Sequence, residues 1–598
     1  MKVNRTKVPA GILIVLAVLL CFISGCSVTE GAKNYTSIPS YSSFRDIPGV
    51  TTAEINEIER LKEKRDYLVI ANTHGTESFY DVNGNINGFI ILLCEWLTGI
   101  FGIRFEPEIY DWGDLIAGLD DHTLDFTGDM TFTEERIQSG YIMTGTIAER
   151  VVKIMRVMNS TPLFEIAALR PVRYAFLSGA VMIDSVSRLS REKFSFLEVD
   201  DNDEAYRLLK SGEIDAYIEE GVSEAAFDKY GDITAYEYLP LIFNPVSLTT
   251  KNPELAPVIS VVQKALEDGA LRHLTEVYNA GETVYYKNKL LAQLSEEEID
   301  FIHTSTTIPF AAEYDNYPVS FYNSRERQWQ GIAFDIIGEI AKITGLSFEV
   351  ANEIGTDWTD LFGMLENGEA YMVTELIRSP EREGRFLWPD KTHVVDYYAL
   401  LSRTEFPDLK INEVKFNKTG VVKDTGQSEI FQSWFPSHTD TVMFVAWDDS
   451  YEALSRGDID LLMAGVNQLL SLTNFRELSG FKANIIFNQP LESAFGFNIK
   501  QEILRNIVEK SLHIVDVEGI SDQWTRKTYD YTIKIAQARL PWLIGVSALL
   551  MIVLILVFII LLRHRREGKW LESIVRERTF ELELASRAKS NFLANMSH

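Results

Sequence analysis

The sequence predicts an α/β protein in which one domain occurs twice in tandem, followed by a single membrane-spanning helix. Three observations lead to this prediction. A set of sequence landmarks returns about 245 positions further along the chain. Short apolar runs typical of buried strands alternate with helical stretches. An uncharged apolar segment near the C-terminus is about 22 residues long, which is enough to cross a bilayer as a helix.

The repeat rests on four landmarks that keep their order and spacing. Asp-Trp-Gly-Asp-Leu at residues 111–115 returns as Asp-Trp-Thr-Asp-Leu at 357–361, and Glu135-Arg136 returns as Glu381-Arg382, both with an offset of 246. Solenoid repeats are at most about 50 residues long, so a period of this size indicates duplicated domains. The other landmarks are Gly-Glu-Ile-Asp at 212–215, which returns as Gly-Asp-Ile-Asp at 457–460 with an offset of 245, and Gly88, which returns as Gly331 with an offset of 243.

Strand and helix patterns alternate within the first copy. This alternation indicates parallel sheets covered by helices on both faces. In the second copy, Ser379-Pro380-Glu381 has an N-cap serine, a proline at the first position and an early negative charge, which together predict a helix start. In the first copy, strands are predicted from Tyr67 to Ala71, Ile103 to Pro107 and Ile214 to Ile218, and helices from Gly88 to Phe101 and Glu204 to Lys210.

Composition narrows the class of protein. The 598 residues carry a formal net charge of -29, which disfavours nucleic-acid binding because that function needs a basic surface. With 46% hydrophobic and 24% charged residues, the chain is typical of folded domains. Two of the three cysteines lie near the N-terminus, so we expect no disulfide framework in the folded part. The third, Cys94, lies in an apolar run and is predicted to be a small buried hydrophobe.

The N-terminus has the features of an export signal. Lys2, Arg5 and Lys7 precede an apolar stretch at residues 11–22 that is short for a full membrane span. The following Ile-Ser-Gly-Cys resembles a lipobox, which implies that Cys26 is lipidated and becomes the mature N-terminus. The alternatives are an uncleaved segment or cleavage by another peptidase.

A stronger membrane signal lies at Pro541 to Leu562, which contains no charged residue. Trp542 sits at one edge, where indole rings favour the membrane interface. At the other edge, a basic cluster marks the cytoplasmic side by the positive-inside rule. Residues 27–540 are therefore expected outside the cell membrane. The basic cluster consists of Arg563, Arg565, Arg566 and Lys569, with His564 among them.

Several short motifs, taken in order, resemble the extracellular solute-binding proteins of family 3. That family has Gly-Phe-Asp after its first hairpin, then Trp-x-x-Leu, Thr-x-x-Arg, Gly-x-x-Asp-Ala and a late Asn-Pro-Glu-Leu. The first copy here offers Gly88-Phe89, Trp112-x-x-Leu115, Thr133-x-x-Arg136, Gly212-x-x-Asp215-Ala216 and Asn252-Pro253-Glu254-Leu255. The second offers Gly331-x-x-Phe334-Asp335, Trp358-x-x-Leu361, Ser379-x-x-Arg382 and Gly457-x-x-Asp460.

The resemblance implies two tandem domains of the periplasmic-binding-protein type (type II). Each would have two α/β lobes joined by a hinge, with a small ligand in the cleft between them. The expected organisation is a signal peptide and lipobox at 1–26, a linker at 27–54, binding domains at 55–288 and 289–532, a transmembrane helix at 541–562, and a coiled-coil-like cytoplasmic helix at 563–598.

The resemblance also implies site residues for an amino acid or a small carboxylate. Arg136 matches the arginine that binds the ligand carboxylate, a task suited to its forked guanidinium. Glu220 falls where the family binds the ligand ammonium, and Glu219 beside it competes for that role. Trp112 matches an aromatic wall of the pocket, and Thr131 matches a hydroxyl near the carboxylate.

Departures from the family pattern affect both copies. The first copy has Ile90 in place of the Gly-Phe-Asp acid, and its second-lobe loop 179–181 lacks hydroxyls, so its ligand need not be a standard amino acid. The second copy keeps Arg382 and Trp358 and has Thr425 in the corresponding loop. However, Gly465 stands where the ammonium-binding acid is expected, and a buried unpaired ammonium is costly. The second copy is expected to bind a simple carboxylate, or to bind nothing and relay the signal.

The C-terminal segment predicts a parallel helical dimer that continues from the membrane, and the alternative is a single amphipathic juxtamembrane helix. Apolar residues from Leu571 to Met596 fall on a 3-4 spacing. Residues 588–598 resemble the H-box of sensor histidine kinases, in which a largely neutral imidazole, here His598, attacks the γ-phosphate of ATP. The ATP-binding domain is not among these residues, so ATP is the cofactor expected of the missing part, and no metal or cofactor is expected in this chain. We therefore expect a fragment of a longer, hybrid kinase or the product of a broken gene.

The first hypothesis is that the chain is the sensor half of a two-component histidine kinase. Its partners would be a small ligand, the membrane, a second copy of the chain and a response regulator or receiver domain. The alternative is a membrane-bound amino-acid-binding lipoprotein of an ABC importer, which would have neither the duplication nor the second membrane segment. A third hypothesis, an enzyme such as a lyase or a cyclase, needs a catalytic domain that the sequence does not show.

Overall fold

The computed structural model describes residues 41–158, 160–178, 180, 182–190, 193–324, 326–475, 478–526 and 532–595. The predicted leader with Cys26 lies outside these residues, as do His598 and both Gly179 and Val181 of the first-copy loop. The described chain divides into two units. The first contains the residues up to Gln468 together with Gly480–Asp522, and the second contains Leu469–Ser479 and the residues from Gln523 onward.

The first unit holds two domains of two lobes each. In domain 1, the first lobe centres on two parallel strands, with Tyr67 opposite Arg104 and Asn72 opposite Ile109. These are β1 and β4 of the following elements: α1 (Thr52–Lys64), β1 (Tyr67–Asn72), β2 (Phe79–Tyr80), β3 (Ile86–Asn87), α2 (Phe89–Phe101), β4 (Arg104–Ile109), α3 (Trp112–Asp120), β5 (Thr127–Met130) and α4 (Glu134–Gln138).

Two long strands connect the lobes of domain 1. The chain enters the second lobe along β6 (Ile142–Val157) and returns along β11 (Phe243–Thr250), which is antiparallel to β6. Helices α8 (Ala256–Ala265) and α9 (Leu271–Leu291) follow on the first lobe. The second lobe contains α5 (Leu163–Leu169), β7 (Val172–Leu177), α6 (Met182–Leu189), β8 (Phe194–Val199), α7 (Asn202–Ser211), β9 (Ala216–Glu220) and β10 (Ile233–Glu237).

The sheets are mixed, whereas the alternation of elements predicted parallel ones. Strand β7 runs parallel to β8 and β9, as expected for strands joined by helices. Strands β9 and β10 both pair antiparallel with β6. The prediction fails at β6 because a strand that enters a lobe through the hinge runs opposite to the strands built within that lobe.

The first lobe of domain 1 begins before residue 55. Phe44 and Ile47, which the sequence placed in the linker 27–54, are buried in the core of this lobe. Phe44 stacks on Phe101 with ring centroids 5.8 Å apart. Cys94 is buried in the same core, and burial raises the pKa of its thiol to about 12, which makes it unreactive.

Domain 2 has the same arrangement of two lobes joined by a hinge. The first lobe contains α10 (Glu296–Thr304), β12 (Ile308–Ala311), β13 (Asp315–Asn316), β14 (Ser320–Asn323), β15 (Gln328–Gln330), α11 (Ile332–Thr344), β16 (Phe348–Val350), α12 (Trp358–Asn367), β17 (Met372–Val373) and β18 (Phe386–Leu387). Strands β19 (Val394–Arg403) and β23 (Phe481–Ser493) form the hinge, around β20 (Thr419–Val422), α13 (Gly426–Trp434), β21 (Thr441–Phe444), α14 (Trp447–Arg456), β22 (Leu461–Gly465) and α15 (Gln468–Leu470). The final elements are β24 (Gly496–Asn498), α16 (Glu502–Leu512) and α17 (Val517–Arg526). The two lobes contain five-stranded sheets of order β16-β12-β17-β24-β18 and β21-β20-β22-β19-β23.

The helix predicted to start at Ser379-Pro380-Glu381 does not form. The amides of Arg382 and Glu383 both donate to the Ser379 carbonyl, and Gly384 turns the chain away with a φ of 77°. The capping signals are overridden because the Arg382 side chain is buried, and its Nη1 donates to the Ile377 carbonyl. A helix does form at the equivalent place in domain 1, where Thr133 caps α4.

The second unit contains a single long helix, α18 (Thr532–Asn595). Its stretch from Ile544 to Asn591 is the one helix in the described chain that is long and apolar enough to cross a membrane, with a mean hydropathy of 3.3 in its most apolar window. The predicted span 541–562 lies within α18. The helix continues without a break through the basic cluster that starts at Arg563.

Replacing Phe44 with alanine tests whether residues 41–54 belong to domain 1. We expect a loss of about 3 to 5 kcal/mol in the free energy of unfolding of this domain, because the change leaves a cavity beside Phe101. This loss in free energy is measured by chemical denaturation, with hydrogen exchange of the β1 and α2 amides as the readout. Phe416→Ala is the control, since that ring is 77% exposed. Equal effects of the two substitutions would show that the segment is not part of the core.

Candidate functional site

The cleft of domain 1 contains a buried arginine surrounded by three carboxylates. Arg150 lies on the hinge strand β6 and is 5% exposed. Its Nε and Nη2 donate to the two oxygens of Glu77 at 2.9 and 2.7 Å. Nη2 also donates to Asp129, and Nη1 donates to Glu220 Oε2 at 3.1 Å. Glu77 and Asp129 belong to the first lobe and Glu220 to the second, so one guanidinium joins both lobes.

Charge pairing keeps Arg150 ionised in this cleft. Burial alone would lower the pKa of the guanidinium, but Glu77, Asp129 and Glu220 hold it well above the ordinary value. The lobes also touch directly, because the Thr76 amide donates to the Val222 carbonyl at 3.1 Å. Domain 1 is therefore closed by contacts between its own residues.

Glu220, predicted to bind the ligand ammonium, has both carboxylate oxygens occupied. Oε2 accepts from Arg150, and Oε1 accepts from the Asn244 amide at 2.9 Å. The protein's own guanidinium thus takes the place that a ligand cation would take. Sequence reasoning missed this role, because Arg150 is one of four charged residues in β6 and nothing in the sequence distinguishes it from the other three.

The other three predicted residues of domain 1 lie together. Arg136 Nη1 donates to the Thr131 carbonyl at 2.6 Å, and its guanidinium lies 5.9 Å from the centre of the Trp112 ring. Burial lowers the pKa of Arg136, and the charge of Glu220 acts in the opposite direction. Thr131 therefore contacts Arg136 through its backbone carbonyl, whereas the sequence predicted a contribution from its hydroxyl.

In domain 2 the predicted carboxylate-binding arginine already holds a carboxylate of the protein. Arg382 is 1% exposed, and its Nε and Nη2 donate to Glu429 Oε1 at 3.0 and 2.9 Å. Its Nη2 also donates to the Asp424 carbonyl at 2.8 Å. Glu429 lies on α13 and Asp424 just before it, both in the second lobe, so these bonds join the two lobes.

Trp358 and Thr425 lie at the same junction. The Trp358 indole donates to the Asp424 carbonyl at 2.6 Å, and the Thr359 hydroxyl donates to its carboxylate at 2.9 Å. The Thr425 hydroxyl donates to the Val422 carbonyl and accepts from the Ser428 amide, which makes it the N-cap of α13. The three residues predicted for domain 2 therefore come together, and each has a partner within the protein.

A cavity of about 50 Å³ remains between the lobes of domain 2. Carboxylates line it on one side, contributed by Glu313 and Glu375 of the first lobe and by Asp396 of the hinge strand β19. The Asn316 amide nitrogen donates to Glu313 Oε2 at 2.7 Å and also to Glu375. Burial, together with the neighbouring carboxylates, raises the pKa of both Glu313 and Glu375.

Asp396 fills the space beside Gly465. In the family pattern, the acid that binds the ligand ammonium is expected at the position of Gly465. A Cβ atom placed on Gly465 would collide with the Asp396 Oδ2. The amides of Tyr397 and Asn467 hold the Asp396 carboxylate at 2.7 and 2.9 Å, and burial raises its pKa. The carboxylate absent from β22 is thus supplied by the hinge strand, so a cation in this cleft would have a partner.

This geometry defines a pair of hinged, two-lobed ligand-binding domains. The family model of the bacterial extracellular solute-binding proteins, family 3, matches residues 69–280 and 308–405, together more than half of the 598 residues. The chain belongs to this family. A comparison with curated proteins finds no matching sequence.

Several solved structures are similar to this chain. The periplasmic domain of BvgS from B. pertussis has 15% identity and a TM-score of 0.40, covering 85% of this chain and 99% of that one. A histidine kinase sensor domain with similarity to periplasmic binding proteins has 17% identity and a TM-score of 0.34, covering 37% and 97%. An ancestral arginine-binding protein bound to arginine has 16% identity and a TM-score of 0.34, covering 37% and 99%. At these identities we carry no residue role over to this chain.

Removing the charge of Arg150 tests the network in domain 1. Arg150→Met leaves Glu77 and Asp129 buried without a cation, and we expect a loss of about 3 to 5 kcal/mol in the stability of the domain. This loss of stability is measured by urea unfolding, with hydrogen exchange of the β6 amides as the readout. Arg104→Met removes an exposed arginine paired with Glu106 and is expected to have little effect. A loss of stability as small as that of the control would show that the charge of Arg150 does not stabilise the three carboxylates around it.

The raised pKa of Glu313 predicts a pH dependence for domain 2. Between the ordinary carboxyl pKa and the raised value, the folded domain holds a proton that the unfolded chain releases, so stability falls as pH rises through this window. Glu313→Gln should reduce this fall and make domain 2 more stable than the wild type near neutral pH, but not below about pH 4. Thermal unfolding across pH measures it, with the exposed Glu349→Gln as the control. A wild-type stability that rises with pH over this range would contradict the prediction.

Proposed function

We propose that this chain is the extracytoplasmic sensor of a two-component histidine kinase, and that it transmits ligand-dependent lobe motion across the membrane to the phospho-acceptor His598. The signal would leave through a receiver domain, and the working unit would be a homodimer in the cell membrane. The main support is α18, a single helix of 64 residues that contains the apolar span and continues past the basic cluster to Asn595. A helix without a break can carry a displacement from one side of a membrane to the other.

The contacts between the lobes support a sensor over an importer. Arg382 and Trp358 of domain 2 hold the second lobe through Glu429 and Asp424, with no ligand needed to form these bonds. An importer's binding protein must open to release its cargo, whereas a sensor needs only two lobe arrangements of similar free energy. A ligand then shifts the balance by binding one arrangement more tightly than the other.

Domain 1 remains a candidate site for an amino-acid-like or small carboxylate ligand. Arg136 uses one nitrogen for the Thr131 carbonyl, and its guanidinium is only partly buried. Arg136 and Trp112 both lie on the first lobe, which would hold the ligand carboxylate through these two side chains.

The proposal predicts that breaking the Arg382–Glu429 pair changes the cytoplasmic end of α18. A cysteine introduced at Val575 reports the approach of two helices through disulfide formation in membranes. In Glu429→Gln, we expect the rate of this cross-link to change by about threefold or more, because the lost charge pair is buried and bridges the lobes. Glu452→Gln alters an exposed carboxylate in the same lobe and should leave the rate unchanged. If the rate is the same in both variants, lobe contacts do not control α18.

A further inference from the structure

The two clefts differ at the same places in the repeat. With the offset of 246, Asp129 of domain 1 corresponds to Glu375, and Arg150 corresponds to Asp396. Domain 1 therefore has a guanidinium among its carboxylates, and domain 2 has another carboxylate at that position. The cation that satisfies the acids of domain 1 has no counterpart in domain 2.

The carboxylates of the domain 2 cavity have no cation available to them. Arg382 is the one positively charged residue that lines this cavity within the described chain, and Glu429, Ile377 and Asp424 occupy its three nitrogens. Glu313 and Glu375 share the Asn316 amide as a neutral donor. Burial raises the pKa of these carboxyl groups, and a positive charge that enters the closed cleft can take the place of the protons that they hold.

A second feature independent of the acids points to a ligand. Gln427, in the first turn of α13, lines the cavity from the opposite lobe and is 8% exposed. No described residue forms a hydrogen bond with its carboxamide. The carboxamide is therefore available to hydrogen-bond a polar group within the cavity. The side chains of Tyr317 and Trp447 also line the cavity, and aromatic faces attract cations.

The size of the cavity limits the ligand. A buried water needs about 10 to 15 Å³ of such space, so about 50 Å³ accommodates roughly four water-sized groups. A guanidinium group or a short alkylammonium has this size. A ligand carboxylate would find no free cation here, because Arg382 already holds Glu429.

We propose that the cleft of domain 2 binds a small organic cation, a guanidinium or primary ammonium group without a neighbouring carboxylate. Glu375 and Asp396 accept hydrogen bonds from the cation, Gln427 binds it from the second lobe, and Trp447 covers it. This site rests on the proposed sensor function and gives that function a ligand class. It also reverses the expectation of a simple carboxylate in this domain.

The test uses the full chain in detergent, with guanidinium chloride at millimolar concentrations as the probe. Urea has the same shape without the charge and is the matched control, with sodium chloride added to equal ionic strength. Hydrogen exchange is measured at residues 313–319 and 424–429, which face each other across the cleft. We expect guanidinium to slow exchange in both segments, and urea to have no such effect.

Substitutions identify the groups responsible. Asp396→Asn and Glu375→Gln keep the shape of each side chain and should each weaken the effect of guanidinium by about tenfold or more. Asp458→Asn removes an exposed carboxylate of the same lobe and should leave the effect unchanged. Asp396→Arg copies the arrangement of domain 1, so it should slow exchange with no ligand present and abolish the response.

Several outcomes would overturn the site. These are an equal effect of urea, a guanidinium effect that survives in both Asp396→Asn and Glu375→Gln, or protection by calcium ion with none by guanidinium. The Val575 cross-link separates this test from that of the sensor function. Protection without a change in cross-linking would refute the sensor function alone, whereas a changed cross-link in Glu429→Gln without protection by guanidinium would refute the cation site alone.

Discussion

A buried guanidinium must be paired, and in both domains its partners come from both lobes. Arg150 holds Glu77 of one lobe and Glu220 of the other, and Arg382 reaches across its cleft to Glu429. Leaving such a charge unpaired costs several kcal/mol, which is a large share of the stability of a domain. Opening either cleft therefore breaks a buried charge pair, and this pair defines the closed arrangement of the lobes. The shape of both clefts follows from this constraint.

Helix α9 connects the cleft of domain 1 to domain 2. The Tyr278 hydroxyl donates to Glu77, the same carboxylate that pairs with Arg150, and Lys289 near the other end of the helix binds Glu224 and Asp228 of the second lobe. The helix therefore contacts both lobes, and it also packs against α11 of domain 2. If the lobes of domain 1 separate, α9 must lose contacts at one end or move against α11.

Local patterns predicted the elements of this fold well where they depend on short-range chemistry. The strand from Tyr67 and the helix ending at Phe101 lie where apolar periodicity placed them. The prediction of a helix at Ser379 was wrong. The capping residues are present, but the buried contacts of the Arg382 side chain outweigh them. The start of domain 1 was also missed, since Phe44 and Ile47 are too few to form a pattern of their own.

The motifs led to residues that lie near one another, but not to their pairing. Arg382 and Trp358 line the domain 2 cavity, and Arg136 and Trp112 contact each other in domain 1. The sequence could not show that Glu429 pairs with Arg382, because the two residues are 47 positions apart and belong to different lobes. Nor could it show that Asp396 fills the space left at Gly465, because the two residues lie on different strands of one sheet.

Duplication gives this chain two versions of one cleft with opposite charge at the centre. In domain 1, the cation is covalently attached, so closure needs no second molecule. In domain 2, Glu375 lies on the first lobe, Asp396 on the hinge and Gln427 on the second lobe, so only a closed cleft offers all three to one cation. The binding free energy of such a cation therefore differs between open and closed arrangements, and this difference alone allows a ligand to shift a conformational equilibrium.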